Sequence, residues 1–111
     1  MTTREKTNLT KTADNIVSLL RNQGLKASKP EDLGRCIESY VEYGSSIVRL
    51  IFFEPRYSDS IIVKLTTSAI GDCDESLYTP TGLYVLARDE QEAIENIMRK
   101  LRLVTIQSNT A

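Results

Sequence analysis

The sequence predicts a single α+β domain of 111 residues, built as a two-layer sandwich with helices on one face of an antiparallel three-stranded meander. Three stretches repeat apolar residues at helical spacing, and three runs are rich in β-branched and aromatic residues. The composition, 41% hydrophobic and 26% charged, is typical of a folded domain. The predicted order is helix, helix, strand, strand, strand, helix, with residues 1–9 and 107–111 as flexible tails.

The first helix is predicted from an apolar stripe that recurs every three or four residues. Thr10 or Thr12 can cap its start, and Gly24 is expected to end it. Leu25 then folds back on the last turn, as an apolar residue after a glycine cap usually does. The stripe consists of Ala13, Ile16, Val17 and Leu20.

The second helix is predicted between Ser28 and Gly44. Ser28 and Glu31 have the spacing of a capping box, in which a hydroxyl and a carboxylate satisfy exposed backbone donors. Cys36 and Tyr40 are expected in the core on this helix. Its apolar stripe is Leu33, Cys36, Ile37, Tyr40 and Val41.

Three strands are predicted in the middle of the chain. Residues 46–53 and 61–67 flank a turn and are expected to form an antiparallel hairpin. Residues 68–82 lack periodicity and contain glycine, proline and three acids, which is typical of an exposed loop. Residues 83–87 form the third strand.

The last helix is predicted from the clearest stripe of the chain. Asp89 and Glu92 form another capping pair, and the acids precede the bases, as the helix dipole favours. Residues 103–106 either prolong this helix or form a short edge strand. The stripe is Ala93, Ile94, Ile97, Met98 and Leu101.

From Pro30 to Arg102, the predicted order of helix, three strands and helix resembles that of the double-stranded-RNA-binding domain. That family holds RNA phosphates with lysines at the start of its last helix. This sequence has Asp89, Glu90 and Glu92 there, and acids at that position repel RNA. The resemblance in element order therefore implies no RNA-binding activity.

One face of the predicted sheet is too apolar for a plain solvated surface. If alternate residues face the helices, the opposite face carries Ile47, Ile51 and Phe53 with a few cations, and Tyr84 and Leu86 can extend it. Such patches usually mark interfaces. Three explanations stay open: the loop or first helix covers the face, the protein self-associates, or another partner binds. The candidate binding residues are Arg49, Ile51, Phe53, Lys64, Tyr57 and Tyr84.

The formal net charge is −1, but the charges are distributed unevenly. Residues 1–30 contain six bases and two acids, a balance of +4, so residues 31–111 carry −5. A nucleic-acid-binding protein that uses this basic segment with Arg49 and Lys64 is therefore an alternative.

Conventional catalytic motifs are absent from the sequence. The chain has no histidine, which removes the usual general base, and it has no glycine-rich phosphate loop. A metal-dependent enzyme would have to use the acidic residues Asp72, Asp74 and Glu75, whose spacing does not match a calcium loop. Cys36 and Cys73 are expected to be free thiols rather than a disulfide, because residues 1–11 lack the features of a secretory signal.

These observations predict a small soluble protein in the cytoplasm, without a membrane segment or cofactor. The favoured function is a non-enzymatic interaction or regulatory module that acts as a homodimer or an adaptor through an exposed sheet face. Its expected partner is a second copy of itself or another protein.

Overall fold

The computed structural model describes residues 2–54, 60–67, 73 and 82–109, and the side chains of residues 9–106 within those ranges. The described residues form two helices and a six-stranded antiparallel sheet, which confirms the α+β class. In chain order the elements are α1 (Thr2–Asn22), β1 (Lys26–Ala27), β2 (Glu31–Asp32), β3 (Cys36–Tyr43), β4 (Ser46–Phe53), β5 (Ile61–Thr66), β6 (Leu83–Ala87) and α2 (Glu90–Asn109). The strand order is β1-β3-β4-β5-β6, and β2 also pairs with β3.

The predicted second helix is wrong, because its residues form β3. This strand pairs with β4 over its whole length, from Cys36 opposite Phe53 to Tyr43 opposite Ser46. Ile37 and Val41 fit a two-residue period as well as a helical one, and pairing with β4 selects the strand. The predicted meander is thus part of a larger sheet. The chain also lacks the first of the two helices on which the resemblance to the RNA-binding domain depended.

Ser28, predicted to cap that helix, instead lies between β1 and β2 and bonds to the edge of β3. Its Oγ accepts a hydrogen bond from the Tyr40 main-chain N–H at 2.8 Å. Its own N–H donates to the Tyr40 carbonyl at 2.8 Å, and Ser39 Oγ donates to the Ser28 carbonyl at 2.7 Å. Ser28 therefore continues the ladder between two short strands.

Helix α1 is longer than predicted. It begins at Thr2, so residues 2–9, which were expected to lie in a tail, are helical, and the buried Leu9 extends the apolar stripe by one turn. Its end is as predicted: Gly24 adopts a positive φ of 91°, and the Leu25 N–H donates to the Leu20 carbonyl at 3.2 Å. Only glycine takes this backbone conformation without strain.

The second half of the chain agrees closely with the prediction. β4 and β6 have the predicted bounds, and β5 ends one residue earlier, at Thr66. Asp89 caps α2, because its Oδ1 accepts from the Glu92 N–H at 2.8 Å. α2 continues to Asn109, so residues 103–106 prolong the helix, and residues 107–109 of the expected tail are helical too.

The two helices pack with alternate strand residues in one continuous apolar core. We call this side of the sheet the inner face and the opposite side the outer face. The strand side chains buried in this core are Ile37, Val41, Val48, Leu50, Phe52, Val63, Leu65, Val85 and Ala87.

Candidate binding surface

The strand register aligns the outer-face residues in rows that run across β3, β4, β5 and β6. The first row contains Cys36, Phe53, Ile62 and Leu86. The second contains Glu38, Ile51, Lys64 and Tyr84, and the third contains Tyr40, Arg49 and Thr66. A fourth row pairs Glu42 with Ile47.

The centre of the outer face is buried. Ile51 and Lys64 are at most 1% exposed, and Arg49 and Phe53 are nearly as inaccessible. These four candidate binding residues therefore lie together, as predicted, but under other parts of the chain. The sequence left three explanations for this apolar face: coverage by the chain, self-association or another partner. Coverage by the chain applies at these four positions.

A disulfide bond joins Cys36 on β3 to Cys73 over this centre. The expectation of two free thiols is therefore wrong. Cys36, Ile51, Phe53 and Cys73 form a second small apolar cluster, against which Ile62 packs. The prediction failed because it relied on the missing secretory signal, and the assignment of Cys36 to a helix gave no reason to place it near Cys73.

Glu38 and Arg49 form a buried ion pair next to this cluster. Arg49 Nε donates to Glu38 Oε2 at 2.8 Å, and Arg49 Nη2 contacts the same oxygen. The side chains are only 8% and 5% exposed, so each charge depends on the other to offset the cost of leaving water. A hydrogen bond to Glu38 raises the pKa of Tyr40, with smaller contributions from burial and from the carboxylate charge. The Glu38 carboxylate thus acts on the exposed Tyr40 as well as on Arg49.

Lys64 is the second buried cation of the outer face. Its Nζ lies 5.3 Å from the centroid of the Tyr84 ring, within the range of a cation–π contact. Burial lowers the pKa of Lys64, and the positive charge of Arg49 lowers it further. Burial also raises the pKa of Tyr84.

Exposed apolar side chains lie at two opposite margins of the outer face. The Leu86 margin, on β6, consists of Tyr84 and Leu86, which are 36% and 64% exposed. The Ile47 margin, on β3 and β4, consists of Tyr40, Glu42 and Ile47, and Ile47 is 54% exposed. Among the described residues, the exposed apolar groups of this face therefore lie around a covered centre.

A groove of about 480 Å³ adjoins the Ile47 margin. Leu25 and Ile47 supply apolar lining, and Lys26 and Glu42, paired across β1 and β3, supply opposite charges. Arg21 lines it too, and its guanidinium is held by two hydrogen bonds to the Ala27 carbonyl, at 3.0 and 2.8 Å. The groove thus combines apolar lining with charged groups of both signs.

The remaining candidates give a mixed outcome. Tyr84 lies on the outer face beside Lys64, as predicted. Tyr57 and the possible metal ligands Asp72, Asp74 and Glu75 lie outside the described residues. Glu38 and Tyr40 were missed as outer-face residues. Their alternation with Ile37 and Val41 was the signal that could have revealed them.

The chain matches no protein-family model, no curated protein and no solved structure. Within the described ranges, neither helix has the length and apolar content that a membrane crossing needs.

Proposed function

We propose that this protein is a non-enzymatic interaction module that binds a protein partner, as a homodimer or an adaptor, through the exposed margins of its outer face. The observation that carries the proposal is the exposure of Leu86 and Ile47, at 64% and 54%, on one face of a single sheet. Their contact with water is unfavourable, and burial against a partner removes it. The binding surface is thus narrower than the whole face predicted from the sequence.

The Ile47 margin has features that favour recognition. Tyrosine is enriched where interfaces concentrate their binding energy, and the exposed Tyr40 lies opposite Arg49, next to the Glu38–Arg49 ion pair. The adjoining groove offers space for an apolar side chain of the partner.

The burial of two cations weighs against the nucleic-acid alternative. In that alternative, Arg49 and Lys64 bind nucleic acid together with the basic residues 1–30, yet they are 4% and 1% exposed and cannot reach a phosphate backbone. Arg21, one of the bases in residues 1–30, donates to the Ala27 carbonyl. The metal-dependent alternative depends on Asp72, Asp74 and Glu75, and no contact of the described residues supports it. The cytoplasmic location stays a prediction.

Capture from a host extract tests the proposal with three matched single substitutions, each of which adds one negative charge. Ile47→Glu and Leu86→Glu alter the two margins, and Ser18→Glu alters an exposed position of α1. We expect a protein retained by the wild type to be lost with at least one margin variant and kept with Ser18→Glu. Equal capture by all four proteins, with unchanged circular dichroism, would contradict the proposal.

A further inference from the structure

The outer edge of β6 is the starting observation. β6 is the last strand in the sheet order, and in the described part of the chain it pairs with β5 alone. Lys100 Nζ donates to the main-chain carbonyl of Tyr84, so this carbonyl lies on the side of β6 away from β5. Main-chain groups of alternate residues point to the same side of an antiparallel strand. The N–H and carbonyl of Leu86 therefore lie at the outer edge as well.

The flank of α2 beside this edge has a symmetric charge pattern. Glu92, Asn96 and Lys100 are spaced four residues apart, so they share one side of the helix, and each is half-buried. α2 runs back along β6, with Lys100 at the level of Tyr84. Four helical residues rise ~6 Å and two strand residues ~6.6 Å, so Asn96 lies at about the level of Leu86. Glu92 and Lys100 thus lie on opposite sides of the level of Leu86 and at equal distances from it.

We propose that this surface, the outer edge of β6 with the Glu92, Asn96 and Lys100 flank of α2, binds a second copy of the same chain about a two-fold axis. The axis passes at the level of Leu86 and Asn96. This inference rests on the proposed function, because it assigns the Leu86 margin to self-association. The two copies of Leu86 exchange main-chain hydrogen bonds and bury their exposed side chains against each other.

Charge complementarity identifies the occupant as a second copy. A two-fold axis pairs unlike residues that lie at equal distances on either side of it. Glu92 of each chain therefore faces Lys100 of the other, and the ion pair forms twice. Lys100 has three N–H donors and can keep its bond to the Tyr84 carbonyl. A lysine at a sheet edge discourages strand pairing between chains in many proteins. The competing outcome is therefore a monomer in which Lys100 prevents such pairing.

Charge reversal tests the inference through the solution mass, measured by light scattering on the full chain. The wild type is expected at twice the chain mass of 12.5 kDa. Glu92→Lys places two lysines opposite each other, and Lys100→Glu places two glutamates opposite each other. Each single variant should fall to the monomer mass. An equimolar mixture of the two should regain the doubled mass, because every pair is then complementary again.

The mixture also controls for misfolding, since an unfolded variant cannot recover a specific partner. The double variant Glu92→Lys/Lys100→Glu should be dimeric on its own, and Leu86→Lys should be monomeric. Ser18→Lys, which adds the same charge at an exposed position of α1, should keep the doubled mass. A monomeric wild type overturns the inference, and so does a dimer whose mass neither Glu92→Lys nor Lys100→Glu changes.

The inference and the proposed function fail in different experiments. A monomeric wild type whose captured partner is lost with Leu86→Glu disproves self-association but supports the interaction module. A wild type that captures nothing and stays monomeric disproves both.

Discussion

The two faces of the sheet are stabilised in different ways. Apart from Ser39, the buried strand residues of the inner face are apolar, and they pack with the two helices in one continuous core. The outer face buries a small cluster that includes a disulfide, together with a Glu38–Arg49 ion pair and Lys64. Apolar burial is non-directional, whereas a buried charge depends on one particular partner. The outer face should therefore respond to redox conditions and pH, and the inner face should not.

Phe52 and Phe53 give the largest expected effect and the most direct comparison. They are neighbours on β4, but Phe52 lies in the helix-covered core and Phe53 in the outer cluster. We expect Phe52→Ala to lower the free energy of unfolding by about 3 to 5 kcal/mol. Phe53→Ala should cost clearly less, because Phe53 packs in the smaller of the two buried clusters and is slightly more exposed. Denaturant unfolding measures both, and equal costs would show that the two faces are equally well packed.

Reduction of the disulfide should have the next largest effect. The bond links residues separated by 37 positions, so breaking it releases a long loop and should cost about 2 to 5 kcal/mol. A dithiol reductant should lower the melting temperature of the wild type but not that of Cys36→Ala/Cys73→Ala. The cost of Phe53→Ala should shrink in the reduced protein, whereas the cost of Phe52→Ala should stay the same. A wild-type melting temperature that the reductant does not change would contradict this account.

Gly82 permits a closer test of the outer face. It has a φ of +93°, and an added Cβ would lie 2.5 Å from the Leu65 carbonyl oxygen. Gly44 also has a positive φ, of 62°, but an added Cβ there meets nothing within 4 Å. We expect Gly82→Ala to cost about 1 to 3 kcal/mol for the backbone strain, with the clash added. Gly44→Ala should cost less, and the reverse order in thermal unfolding would show that the chain does not pass so close to β5.

The sequence was informative where local signals agreed with the final structure. Runs of β-branched residues located β4 and β5, an apolar run located β6, and the Asp89 cap located the start of α2, because these signals depend on neighbours in sequence. The error at Cys36–Tyr43 has a physical cause. Its apolar residues satisfy two periods at once, and pairing with β4 decides between them.

That one error accounts for most of what was missed at the candidate surface. With Cys36 on a helix, neither its bond to Cys73 nor the position of Glu38 beside Arg49 follows from the sequence. Arg49, Ile51, Phe53 and Lys64 were correctly grouped, since alternation along a strand determines which residues share a face. Their burial was one of the open alternatives, because it depends on what covers the face.

The smallest expected effect concerns Lys64 and alkaline pH. Burial lowers the pKa of Lys64 in the folded protein below its ordinary value of 10.5, so the unfolded chain holds its proton to higher pH. In that interval the unfolded state binds more protons, and the stability should therefore rise with pH. The raised pKa values of Tyr40 and Tyr84 act in the opposite direction, but only above about pH 10, where unfolded tyrosines ionise.

Lys64→Met separates these contributions, because methionine keeps the apolar bulk and cannot titrate. Subtracting the variant's melting temperature from that of the wild type cancels the contribution of the two tyrosines to the pH dependence. The difference should grow in favour of the wild type as the pH approaches 10.5 from below. Phe52→Ala, which alters only the inner face, should leave the wild-type pH dependence intact. A constant difference between wild type and Lys64→Met would mean that Lys64 keeps its ordinary pKa, and the contrast between the two faces would lose its electrostatic part.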